Sequence, residues 1–236
     1  MKTQKRNAGC VMSNANKKTR VTHYALLLTL VVFCIGILTA CARTVTPLIN
    51  YGEQMSVEVT LAGTLEADAN RYFLVLSANS NFQIPYFPTP DLNTPEFIEP
   101  GMIPMQGSAI DYYTKYFSTW AGYVVLDRKQ FFSVRGPFSY GQAASREVLS
   151  NLGAPDAKIK FTFRLNRIFD IIPDTIYFDF VTVPWPDGAV KIPEDHINST
   201  DAYISKVTGS IKAVDDLVEP GILPALNIVN CRVVIQ

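Results

Sequence analysis

Lys158-Ile-Lys-Phe-Thr-Phe-Arg-Leu165 alternates polar residues with large apolar ones. Successive side chains of an extended chain point to opposite faces. Ile159, Phe161, Phe163 and Leu165 therefore share one face, and Lys158, Lys160, Thr162 and Arg164 share the other. The period predicts a strand with a core on one side and water on the other. Val57, Val59 and Leu61 alternate with Glu58 and Thr60 in the same way, as do Ile176, Phe178 and Phe180 with Tyr177 and Asp179. Residues 72–76, 123–126 and 229–235 are more continuously apolar and read as central strands, with 131–135 and 202–207 as further ones. Turn-forming stretches such as Ala67-Asp-Ala-Asn70 and Pro186-Asp-Gly188 separate these segments. The expected fold is all-β, an antiparallel β-sandwich of about eight strands.

Helix is scarce in this pattern. Residues 142–152 have the best helical composition, with Gly153 as a C-terminal stop and Pro155 beyond it, and a turn or two is expected near 212–218. A segment of another kind lies at 84–104, where Pro85, Pro88, Pro90, Pro95, Pro100 and Pro104 fall among Tyr86, Phe87, Phe97 and Ile98. Each proline removes an N–H donor, so the segment cannot be a ladder strand. Its aromatic residues suit a long loop packed over the sheet as a cover, with a functional loop as the other reading.

The charges are segregated. Six basic residues and no acid precede Cys41, which leaves 15 basic against 21 acidic residues from Cys41 onward. An acidic body argues against nucleic-acid binding, because phosphate contact needs a basic face. Residues 1–23 are polar and basic, and residues 24–40 form a hydrophobic, uncharged run, the layout of a secretory leader helix.

The run ends Leu38-Thr39-Ala40-Cys41, which resembles the lipobox of bacterial lipoproteins. The resemblance implies that residues 1–40 are a signal peptide and that Cys41 is lipidated at the start of a tether, 41–54. A single sandwich domain, 55–236, with its Pro-rich loop at 84–104, would follow. Two or three acyl chains make a lasting anchor where one holds only reversibly. An uncleaved transmembrane anchor is the other reading, since a helix over 24–40 at about 1.5 Å per residue approaches the roughly 30 Å hydrocarbon core. Either way the basic end stays in the cytoplasm and the body lies outside it, on the cell membrane or the outer membrane. In enteric lipoproteins an Asp after the Cys signals inner-membrane retention, so Ala42 leans towards the outer membrane.

Cys10 and Cys34 lie in the leader, so Cys231 alone remains beside Cys41, and no intramolecular disulfide is expected. Cys231 sits in the predicted strand 229–235 and reads as a buried, inert thiol. Chemistry-bearing motifs are few. His196 is the one histidine after the leader, too few for a zinc site. A Ser-His-Asp triad would have to use it, and adjacency does not let Asp195 orient its ring, so His196 reads as a surface-loop residue. Asp187, Glu194, Asp195, Asn198 and Asp201 offer oxygen ligands for calcium but lack the spacing of an EF-hand loop, and a solvated loop is the expectation. No cofactor and no metal are expected.

Aromatics are the remaining pointer. Tyr112, Tyr113, Tyr116, Phe117, Trp120 and Tyr123 cluster in one stretch, as core residues or as a stacking platform for a sugar. Trp185 is held between Pro184 and Pro186. The candidate ligand contacts are Trp185, Tyr86, Phe87, Tyr116 and Trp120. Two function classes follow. One is a non-catalytic envelope lipoprotein, held to the membrane through Cys41, that binds an envelope protein or polysaccharide. The other is an extracytoplasmic hydrolase of glycans using a carboxylate pair.

Overall fold

Met55, Val57, Val59 and Leu61 turn one face of β1 (Gln54–Leu61) inward, and Ser56, Glu58 and Thr60 turn outward. The computed structural model describes residues 50–86, 96–154, 156–197 and 200–236. The leader, Cys41 and Phe87 lie outside these. Strand β1 is central in a four-stranded sheet, flanked by β6 (Lys158–Arg164) and β11 (Ile228–Ile235), with β10 (Ile211–Asp215) beyond β11. All pairings in it are antiparallel, and Val57 stands opposite Phe161 on one side and Val233 on the other. The expected alternation in β6 is present, with Ile159, Phe161 and Phe163 buried.

The second sheet has seven strands. β2 (Asn70–Ser77) lies between β3 (Gly122–Asp127) and β7 (Thr175–Pro184). β4 (Gln130–Arg135) and β5 (Arg146–Asn151) extend it past β3, while β8 (Asp195–His196) and β9 (Tyr203–Ser205) pair with the far side of β7. The two sheets enclose a common apolar core that includes Val57, Val59, Leu74, Leu76, Leu126, Phe131, Phe161, Phe178 and Ile235. Phe131 stacks on Phe161 with ring centroids 4.8 Å apart. Cys231 is buried there as a free thiol, and burial pushes its pKa well up, as befits an inert side chain.

The seven-stranded sheet is covered on its other face as well. Phe73, Val75, Tyr123, Val125, Val134, Val181 and Val183 form a second core with Phe97, Ile98, Tyr112, Tyr116, Phe117 and Trp120. The last four come from helix α1 (Ala109–Lys115) and the 3-10 turn that follows it. Phe97 and Ile98 come from the Pro-rich segment, which over 96–100 is the expected cover.

Two local expectations of helix are corrected. The segment 142–152 forms no helix: its second half is the edge strand β5, in which Phe132, Ser133 and Val134 stand opposite Val148, Glu147 and Arg146. Pairing with β4 covers the otherwise free edge of the sheet, and this tertiary pairing overrides the weak local propensity. Residues 212–218 likewise contribute to strand β10, which places only Val214 inward. Short edge strands such as β5, β8 and β10 raise the number of strands among the described residues from about eight to eleven. At the N-terminal side the folded body reaches into the span assigned to the tether: Tyr51 bridges to Val207, and the Gly52 amide donates to the Lys206 carbonyl at 2.8 Å.

Candidate functional site

Trp185 follows directly on β7, and its amide donates to the Ala69 carbonyl at 2.9 Å. Its ring is half-buried, with Phe73 behind it at 5.7 Å between centroids. The Arg71 guanidinium lies 4.2 Å from the ring centroid, and the Lys191 ammonium 5.8 Å from it. Lys191 is itself pinned by the Pro186 and Ala189 carbonyls. A cation over an indole face is attracted by the ring quadrupole. Trp185 is therefore held in one orientation at the rim of a hollow of about 490 Å³, lined also by Asp68, Arg71, Asp127, Arg128 and Asp187. Two neighbouring hollows share walls with it through Asp68, giving a grooved surface around the β1–β2 loop and the β3–β4 turn.

A buried charge cluster stiffens this groove from below. Glu99, 4% exposed at its side chain, accepts from Arg71 at 2.9 Å, from the Tyr123 hydroxyl at 2.9 Å, and from Arg146. Asp127 closes the ring by accepting from Arg71 at 3.0 Å and Arg146 at 2.9 Å. A buried carboxylate is tolerable only when paired and hydrogen-bonded, and here two guanidiniums and a phenol do both. Burial and the adjacent Glu99 charge push the Tyr123 phenol well above its usual pKa, so it remains a donor. Arg71 thus joins the Pro-rich cover, through Glu99, to the stacked Trp185.

His196 is not the surface-loop residue that the sequence suggests. It lies in β8, its side chain is mostly buried, and its Nδ1 is 2.9 Å from Asp179 Oδ2 on β7. The partner that the sequence could not supply comes from the neighbouring strand, where Val181 pairs with His196. The Tyr86 ring packs against the imidazole at a tilt of 46°, with centroids 4.0 Å apart. Burial lowers the His196 pKa, but the hydrogen bond and charge of Asp179, with Asp195 and Asp216, outweigh it and leave the pKa raised. Burial raises Asp179, and it brings Asp195 to about 6 although the Ile228 amide donates to Asp195 at 2.7 Å. These groups line none of those three hollows.

The sequence candidates thus separate. Trp185 lines the groove and Tyr86 caps His196. Tyr116 and Trp120 are buried in the second core, and the Trp120 indole N–H donates to the Gln83 carbonyl at 2.7 Å, so neither presents a stacking face. The aromatic cluster 112–123 is core because α1 lays it on the outer face of the sheet. Arg71, Glu99, Asp127 and Arg128 escaped the sequence reading, since isolated charges carry no local signal of convergence. The left-handed backbone of Arg128 (φ 57°) belongs to the tight β3–β4 turn. Among the described residues, no three His, Cys, Asp or Glu side chains come together as a metal site. No helix among them is long and apolar enough to cross a membrane. No family model matches the chain, and neither the curated proteins nor the solved structures contain a match to it.

Proposed function

We propose that the protein is a lipid-anchored, extracytoplasmic envelope protein whose β-sandwich binds polysaccharide, without catalysis, through the Trp185 groove. The single observation carrying this reading is the indole clamped by Arg71 and Phe73 at the rim of a polar groove. A sugar ring meets the uncovered edge of the half-buried indole, and the surrounding carboxylates and guanidiniums accept from and donate to its hydroxyls. The anchor rests on the basic leader, the apolar run and Leu38-Thr-Ala-Cys41.

The hydrolase reading is favoured by one observation, the Asp179–His196 pair beside Asp195, all three with raised pKa values. It is the weaker reading, because Asp179 and Asp195 are buried outside the grooves described.

Trp120 and Trp185 are the two tryptophans of the chain, which makes the test direct. In full-length Trp120→Phe protein in detergent micelles, envelope polysaccharide should shift the Trp185 emission to shorter wavelength at saturation. Trp185→Ala should lose retention on the same polysaccharide while keeping its far-UV circular dichroism. An unchanged Trp185 spectrum at saturating glycan would refute the groove as the binding site. Lipid labelling lost in Cys41→Ser would support the anchor, and labelling retained would overturn it.

A further inference from the structure

A fourth hollow, of about 470 Å³, spans the two sheets at the edge formed by β4, β5 and the end of β6. Arg135, Arg164 and Arg167 line it, with Glu147 as the one carboxylate in its wall and Ser133 and Ser145 as hydroxyl donors. Ser133 is only 2% exposed, so it belongs to the bottom of the hollow rather than its rim. It follows Phe131 at period two on the inter-sheet face of β4, a position where an apolar residue would otherwise extend the core. The domain is acidic overall, yet here three guanidiniums face one carboxylate.

We propose that this hollow is an oxyanion-binding site for a carboxylate or phosphate group carried by a ligand, separate from and independent of the Trp185 groove. Arg135 is paired with Asp170 and Arg167 with Glu147, but Asp170 is 81% exposed and Glu147 56% exposed. Such exposed pairs hold weakly, and each guanidinium keeps further N–H donors for a bidentate oxyanion. Arg164 stands on the solvent-facing side of β6 with no ion pair among the described residues. A bound oxyanion takes N–H donors from Arg164 and Arg167 and O–H donors from the serines, an arrangement in which planar guanidinium forks give direction as well as charge.

The test is calorimetric titration of the full-length protein in detergent micelles with inorganic phosphate and, separately, with glucuronate. Binding of either supports the site, and the tighter of the two identifies the oxyanion. Arg164→Gln should weaken that binding by about tenfold or more, as expected for losing a charge-assisted hydrogen bond. Lys160→Gln removes the same charge from the same face of β6 outside the hollow, and should change it less than about twofold. Arg164 packs no core, so its variant should keep the wild-type melting temperature, and Arg167→Gln gives an independent second variant. No binding of either anion, or equal losses in Arg164→Gln and Lys160→Gln, would overturn the proposal. Because Trp185 is untouched, retention on polysaccharide should persist in Arg164→Gln, so failure of this site and failure of the Trp185 groove are separately visible.

Discussion

The two faces of the seven-stranded sheet are closed in different ways. Its inner face meets another sheet, and Leu74, Leu76, Val124, Leu126 and Phe178 pack there against Val57, Val59, Phe161 and Val233. Its outer face meets a short helix and irregular chain, and the cover brings polar groups with it. Glu96 accepts from the Met105 amide at 3.0 Å, the Gly101 amide donates to the Tyr113 hydroxyl at 2.8 Å, and Glu99 sits between two arginines. A sheet satisfies its own backbone, so a sheet-on-sheet core can be almost wholly apolar. Irregular chain must find partners for every buried donor and acceptor, and aromatic rings and charged pairs then become part of the core. The inner face is tied by polar groups near one end, where Tyr72 and Thr182 donate to the Ala225 and Leu226 carbonyls and Asp195 accepts from the Ile228 amide.

That contrast can be broken from either side. The largest effect is expected inside: Phe161→Ala should cost about 3–5 kcal/mol in urea unfolding, since it removes a buried ring stacked on Phe131 across the two sheets. A loss below about 1 kcal/mol would mean that the sheets do not share that core.

On the outer face, Glu99→Ala should cost about 2–3 kcal/mol, because it leaves the buried Tyr123 hydroxyl without its acceptor and Arg71 and Arg146 with Asp127 alone. Its signature is local. Amide exchange should accelerate at Phe97 and Gly101 in the cover while Val57 and Val233 stay protected, and uniform acceleration would contradict separate closure of the two faces.

The smallest effect concerns the polar tie. Asp195 titrates near 6 in the folded domain, against an ordinary value of 3.8, chiefly through burial. Its folded form holds the proton more tightly, so its contribution is fully present below about pH 3.8 and is lost as pH rises through about 6. Asp179 and His196, both raised, act with the same sign. Asp195→Asn should therefore leave stability little changed at pH 4 and raise it by roughly 1–2 kcal/mol at pH 7.5. The difference between variant and wild type in urea midpoint at the two pH values checks this. A variant less stable at pH 7.5 would show that the hydrogen bond to Ile228 outweighs the cost of the buried charge.

Legibility in the chain follows the range over which each signal acts. Strands β1, β6 and β7 stand where their alternation puts them, because a half-buried strand writes its environment into every second residue. Residues 142–152 misled, because their composition is that of a helix while β4 offers a free edge to pair with. His196 was misplaced for the same kind of reason. Its partner Asp179 is seventeen positions away and arrives only through the β7–β8 ladder. Tyr116 and Trp120 could be core or platform as a string of letters, and α1 made them core by lying over the outer face.

Local chain chemistry was enough for the all-β class, the buried Cys231 and the Pro-rich cover, since period, proline content and apolar runs act within a few residues. The Arg71–Glu99–Arg146–Asp127 cluster, the clamp on Trp185 and the arginine-lined hollow had to await the assembled sheets. Each joins side chains from separate strands and loops, and their charges converge only once the antiparallel register and the covering segment bring those positions into contact.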